Sequence, residues 1–160
     1  MSLRLRLAAA EDAARLNAAL AGLSRDLGDD HAAEVETLRA AGWGPAAAFR
    51  AQIAETGPGP LVGATLYSPV FSTVRGGAGI YVSDLWASPA MRGQGLGRRL
   101  LAAALADGAE TWGAGFIKLA AYHASVDALR FYDRLGFQVI EGQHDLLLDA
   151  AGCAALAESE

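Results

Sequence analysis

The sequence predicts an α/β (α+β) fold, with about four helices flanking a central twisted mixed sheet of about six to seven strands. Three observations carry that expectation. Apolar residues make up 52% of the 160-residue chain, enough to bury one sizeable core, so residues 1–160 are expected to form one domain. Stretches with a period of two alternate along the chain with stretches of helical period. Clusters of Gly and Pro punctuate the changes between them.

The elements follow in order. Leu3, Leu5 and Leu7 alternate with Arg4 and Arg6, which reads as a strand. Residues 11–27 are rich in Ala and Leu, with Leu16, Leu20, Leu23 and Leu27 at helical spacing. Asp29-Asp30 interrupts that helix, and residues 34–41 form a second, closed by Gly42-Trp43-Gly44-Pro45. The next stretch reads two ways. Its alanines favour helix, whereas Phe49, Ala51 and Ile53 alternating with Arg50, Gln52 and Ala54 favour strand. GPGP at 57–60 is a turn and LVGATLY follows it, so residues 46–67 are taken as two strands joined by a turn. Residues 72–79 are expected to be a loop, 80–87 a strand, 94–112 a helix, 116–122 a strand and 126–135 a helix. Two short strands, 137–140 and 145–148, complete the chain.

Charge and composition exclude several function classes. The formal net charge of −5 argues against non-specific nucleic-acid binding, although a local arginine cluster can still hold an anion. The lone Cys153 forms no internal disulfide, and His31, His123 and His144 lack metal-ligand spacing, so no metal is expected. The start, MSLRLRLAAA, lacks the apolar stretch of a signal peptide, and no run reaches the ~18 apolar residues of a membrane span. A cytoplasmic protein without membrane partners is the expectation.

One short motif points to chemistry. RGQGLG, residues 92–97, lies between a strand-like and a helix-like run. Glycines let a backbone turn tightly and approach a ligand, and free N–H groups at a helix start favour an anion. Arg92, Arg98 and Arg99 add positive charge. By itself the motif is either a plain strand–helix turn or a phosphate cradle. It lacks the Lys and hydroxyl of a Walker loop, and its glycines at 93, 95 and 97 miss the dinucleotide spacing.

Arg92, Gly95 and Gly97, following SDLWASP, resemble the acetyl-CoA loop of the GNAT superfamily of N-acetyltransferases. Downstream, ALRFYDRLGF at 128–137 resembles that family's A-x-x-F-Y-x-x-x-G-F element. GIYVSDLWASPAMRGQGLG is most similar to the diamine (spermidine/spermine-type) branch and its bacterial relatives. The resemblance runs from Leu3 to about Leu148. It implies acetyl-CoA as co-substrate, a small-molecule amine as acceptor, and a homodimer, joined through the C-terminal strands and the tail AAGCAALAESE.

The resemblance also implies residue roles. Leu85, Trp86 and Ala87 would sit where the central strand splays from its neighbour, freeing backbone groups for the pantetheine arm. Arg92, Gly93, Gln94, Gly95, Leu96, Gly97 and Arg98 would hold the pyrophosphate. Ser125 stands where the family usually has Asn, and Ala128 would pack near the cofactor arm. Tyr132 would be the general acid for the departing thiolate. Asp84 is a candidate base, expected to face away from Ser83 if the strand is regular. The diamine branch has an acidic residue where this chain has Ser83, and a serine is no carboxylate base at neutral pH. Thr73 and Arg75 replace the acidic and aromatic residues of a polyamine site. A smaller amine, one carrying a carboxylate, is therefore expected instead of a polyamine. His123 ends a strand near the site, and Asp29, Asp30, Glu34 and Glu36 read as a solvated face or an acceptor-site wall. Trp43 is expected as a core anchor.

The expected reaction is direct attack of a neutral amine on the thioester. Deprotonating a lysine-like amine of pKa ~10.4 at pH 7 costs about 4.6 kcal/mol, and an α-amino group near ~8 about 1.4 kcal/mol. A base, desolvation or a water relay must recover that cost. The rival expectation is a non-catalytic acyl-CoA-binding module.

Overall fold

The ambiguous stretch around Ile53 is a strand, because its two faces find two different helices. Ala51 and Ile53 pack with Leu16 and Leu20, whereas Ala54 packs with Leu96 and Leu100. The computed structural model describes residues 2–159. The chain divides into two compact units, Met1–Val126 and Asp127–Glu160.

In the first unit, β1 (Arg4–Leu7), β2 (Arg50–Glu55), β3 (Gly63–Ser72), β4 (Gly77–Ala87) and β5 (Ile117–Leu119) lie side by side in that order. Successive strands through β4 are antiparallel, and β4–β5 is parallel. Helices α1 (Ala13–Leu27) and α2 (Val35–Trp43) cover one face through Leu16, Leu20 and Leu38. Helix α3 (Leu96–Trp112) covers the other through Leu96 and Leu100. Trp43 is a core anchor, as expected, set edge-on to Phe49 at 5.7 Å. Arg50 of β2 forks onto Asp107 of α3 at 2.7 and 2.9 Å, and the Tyr67 hydroxyl donates to the same carboxylate at 2.6 Å. Burial alone would raise the Asp107 pKa, but those bonds outweigh it and hold the carboxyl below its ordinary range. The network ties α3 to the sheet.

Helix α4 (Val126–Arg134) continues into the second unit, which also holds α5 (Ala150–Glu158). Three expectations are corrected here. Among the described residues the sheet has five strands, not six to seven, because residues 137–140 and 145–148 join no ladder. An alternating pattern becomes a strand only where a neighbouring edge pairs its N–H and C=O groups. The tail, read only as a dimer contact, forms α5, capped by Asp149, whose Oδ1 accepts from the Gly152 N–H at 2.8 Å. The loop expected at 72–79 shrinks to residues 73–76, because β3 runs to Ser72 and β4 starts at Gly77.

The ladder between β3 and β4 slips once. Tyr67 pairs with Val82 but Leu66 pairs with Asp84, so Ser83 is an extra residue on β4. The consequence is a change of face. Before the slip, Ile80 points at α3, where a Cβ on Gly108 would meet its Cγ2 at 2.5 Å. Regular alternation would send Asp84 and Trp86 the same way. Instead Trp86 lies against α1, where a Cβ on Gly22 would come within 3.0 Å of its ring. Leu85 and Ala87 turn to the α3 side with Leu96 and Leu100. The expected regular strand is therefore corrected at Ser83: the bulge re-aims Asp84 and Trp86 toward α1.

Candidate active site

The bulge coincides with a parting of strands. Pairing between β4 and β5 covers only Ile80–Ile117, Tyr81–Lys118 and Val82–Leu119. From Asp84 to Ala87, β4 keeps its β3 ladder but has no partner on its other edge among the described residues. Backbone groups of Leu85, Trp86 and Ala87 thus border an open gap. Strand β5 is shorter than the expected 116–122, which widens that gap.

At the end of β4, a single turn (Pro89–Met91) leads into the glycine loop and α3. Gly93 and Gly95 have φ of 74° and 80°, a conformation that other residues adopt only at a cost of roughly 1–2 kcal/mol. A Cβ built on either meets nothing within 4 Å, so the space over this backbone is open. Gly95 is the N-cap of α3 and offers no side-chain cap, which leaves the first helical N–H groups of Leu96, Gly97 and Arg98 free. This arrangement fits a pyrophosphate. Gln94 folds back, its amide donating to the Ala90 carbonyl at 2.8 Å. Arg98 and Arg99 are exposed and form no ion pair among the described residues. Arg92 is engaged within the chain: its Nε donates to the Ala87 carbonyl at 3.0 Å and its Nη2 to Asp26 at 2.5 Å. Asp26 also accepts from the Trp86 indole N–H at 3.0 Å.

Asp84 is half-buried, and burial pushes its carboxyl pKa up; the Ser83 hydrogen bond and the charge of His31 pull part of the way back. Ser83 is exposed, its hydroxyl 3.4 Å from the Leu66 carbonyl. His31, expected to be either a surface or a satisfied polar residue, is the histidine near Asp84, and both its ring nitrogens have partners. Its Nε2 lies 2.8 Å from Asn17 Oδ1 and its Nδ1 3.2 Å from Ser24 Oγ. Asn17 donates through Nδ2 to the Ala33 carbonyl, so its Oδ1 faces His31 and fixes the Nε2–H tautomer. No spacing signal in the sequence links His31 to Asp84, because the bulge alone turns Asp84 to that face.

A cleft of about 580 Å³ lies beside the gap, lined by Asp26, Leu27 and Asp29 of the α1 end and by Tyr122, His123, Ala124 and Ser125. It collects two of the expected residues, Ser125 and His123, and one of the acidic stretch, Asp29. Glu36 instead pairs with Arg39 on α2, and Glu34 is the N-cap of that helix. Arg75 is a correction. It sits in the β3–β4 turn over the Phe116 ring at 5.3 Å, eight residues before Ser83, and the stretch of β4 from Gly77 to Ser83 alone covers roughly 20 Å. At more than two Debye lengths (~8 Å each), its charge bears little on an acceptor near Asp84.

In the second unit, Ala128 and Tyr132 are half-buried on α4. Tyr132 packs between Phe131 and Phe137 at 5.2 and 5.3 Å, and burial raises its phenol pKa. Its carbonyl accepts the N–H groups of Leu135 and Phe137, closing the helix at Gly136.

Comparison with known proteins agrees with this architecture. The model of the "Acetyltransferase (GNAT) family" matches residues 18–137. A thialysine N-epsilon-acetyltransferase of Sus scrofa is 31% identical over 132 residues, covering 76% of each chain. An integron cassette protein from V. cholerae superimposes with a TM-score of 0.79 at 22% identity, over 99% of each chain. An aminoglycoside N-acetyltransferase solved in complex with CoA superimposes with a TM-score of 0.73 at 16% identity, over 91% of this chain and 94% of that one. No described helix is long and apolar enough to cross a membrane. The family match over most of the chain, together with the identity to the porcine enzyme, establishes that this protein belongs to the GNAT acetyltransferase family and is an acetyl-CoA-dependent N-acetyltransferase.

Proposed function

We propose that the enzyme acetylates the primary amine of a small, amino-acid-like acceptor, with acetyl-CoA bound along the β4 edge and over residues 92–98. The open, left-handed backbone at Gly93 and Gly95 carries the donor half of this reading. Ser125 lines the neighbouring cleft, where it would serve as a shorter stand-in for the family's Asn, and Ala128 on α4 would take the family's place near the cofactor arm.

The chemistry divides among few groups. The neutral amine attacks the thioester carbonyl carbon, so a C–N bond forms as the C–S bond breaks. Backbone N–H groups of the β4 edge polarise the carbonyl. The Tyr132 hydroxyl gives its proton to the departing thiolate, and a phenol whose pKa is raised by burial stays protonated at neutral pH. The Asp84 carboxylate takes the amine proton. Because burial moves its pKa upward, it is a better proton acceptor than an ordinary aspartate.

For the acceptor, the cleft contributes the carboxylates of Asp26 and Asp29. The acceptor named for the porcine relative, thialysine, supports a side-chain amine of an amino acid over a polyamine. Ser83 in place of an acidic residue agrees with that choice. Acetyl-CoA-dependent thiol release measured with thialysine, lysine, ornithine and spermidine tests it. An amino acid is expected to exceed spermidine at least tenfold in kcat/KM, and efficient spermidine turnover would sink the assignment.

We also propose that the working form is a homodimer. Val139 is 81% exposed, and Leu146 and Leu147 are each 93% exposed, within segments of strand-like sequence that join no ladder. Light scattering on the purified protein is expected to give twice the 16.5 kDa chain mass.

A further inference from the structure

The end of α1 touches both sides of the β4–β5 gap. On the β4 side, Asp26 holds the Trp86 indole and the Arg92 guanidinium, and Arg92 in turn holds the Ala87 carbonyl. On the β5 side, Asp29 accepts from the Tyr122 hydroxyl at 2.8 Å. The two carboxylates are locked to one another by the helix end. Gly28 is left-handed at φ 75°, its N–H bonds the Arg25 carbonyl at 3.2 Å, and the Asp29 N–H bonds the Ser24 carbonyl at 2.8 Å. Those two bonds close the helix and leave Asp29 little freedom relative to Asp26.

We propose that the α1 end is a brace across the gap, with Asp26, Asp29 and Tyr122 acting as positioning residues for the acetyl donor. The observation behind it is mechanical. Two strands that have stopped pairing have no ladder to set their separation, and here a third element spans them through side chains on both. The same contacts fix the glycine loop: Arg92 is its first residue, and the pair with Asp26 anchors that residue to α1. None of these side chains need touch the donor. They hold in place the backbone that does, so their loss appears as weaker donor binding. Asp26 and Asp29 also line the cleft, where the competing role is to attract the amine.

The inference rests on the donor lying in the gap, and the test separates the two. Coenzyme A binding is measured by titration calorimetry on the whole chain for wild type, Asp26→Asn, Tyr122→Phe, Asp29→Ala and the Tyr122→Phe/Asp29→Ala double variant. Each single variant is expected to weaken CoA about fivefold, the loss of about one hydrogen bond's net effect. The double variant should be no weaker than Tyr122→Phe, since both changes break one bond. The amine KM of Tyr122→Phe, which leaves both cleft carboxylates in place, should stay within about twofold of wild type. Unchanged CoA affinity in Asp26→Asn and Tyr122→Phe, or a loss confined to the amine KM, overturns the brace. Failure of wild type to bind CoA would overturn the donor site first, and the brace with it. Tyr122→Phe removes only a hydroxyl from an exposed side chain, so it remains informative should Asp26→Asn fold poorly.

Discussion

Tyr132→Phe is expected to lower kcat about 100-fold while leaving the acetyl-CoA KM within about twofold of wild type. The ring packs between Phe131 and Phe137, and Phe keeps that packing while removing the proton that the thiolate needs. The fold should therefore be unaffected. The loss should also depend on the leaving group. A donor whose thiol is more acidic needs less protonation on departure, so an acetyl thioester of an aromatic thiol should narrow the gap between variant and wild type. Near-equal kcat for the two enzymes with acetyl-CoA would remove Tyr132 from the chemistry and leave it as part of the aromatic cluster. An equal deficit with both donors would point to positioning instead of proton transfer.

The glycine loop was readable from the sequence and the bulge beside it was not, for physical reasons. RGQGLG is legible because left-handed backbone demands glycine, and Gly93 and Gly95 both adopt it. Strand β2 was legible once alternation was weighed above alanine content, because its two faces meet different helices. The bulge at Ser83 was not legible. It depends on which residues of β3 lie opposite, and GIYVSDLWA carries no mark of the slip. Without it, the faces taken by Asp84 and Trp86 could not be assigned, and His31 stayed unconnected to the site. Arg75 was misjudged for a related reason: neighbours in a β-hairpin sequence can lie roughly 20 Å apart along the strands. Residues 137–140 and 145–148 were read as strands from their apolar pattern, yet a strand also needs an edge to pair with, which no local pattern supplies.

Asp84→Asn is expected to lower kcat/KM about 100-fold at pH 7 and, at the same time, to raise the melting temperature. Both follow from the burial that the bulge imposes. The Asp84 pKa in the folded protein lies above the ordinary value of about 3.9, mainly through desolvation of the carboxylate. The folded state therefore binds this proton more tightly than the unfolded chain does. Stability falls as pH rises from the ordinary value to the folded one, and above it the folded state carries the full cost of an ionised, half-buried carboxylate. Asparagine never ionises, so the variant escapes that cost at pH 7, while below about pH 3.5 both side chains are neutral and the difference should vanish. Melting curves from pH 3.5 to 8 read the stability half. The activity half appears in the pH profile, where ionisation of Asp84 adds an ascending acidic limb to wild-type kcat/KM that the variant lacks. A charge on His31 favours the ionised carboxylate, so His31→Gln, which can carry none, should move the limb to higher pH without abolishing it. A variant that melts lower at pH 7 with its acidic limb intact would show that Asp84 serves the sheet and not the amine.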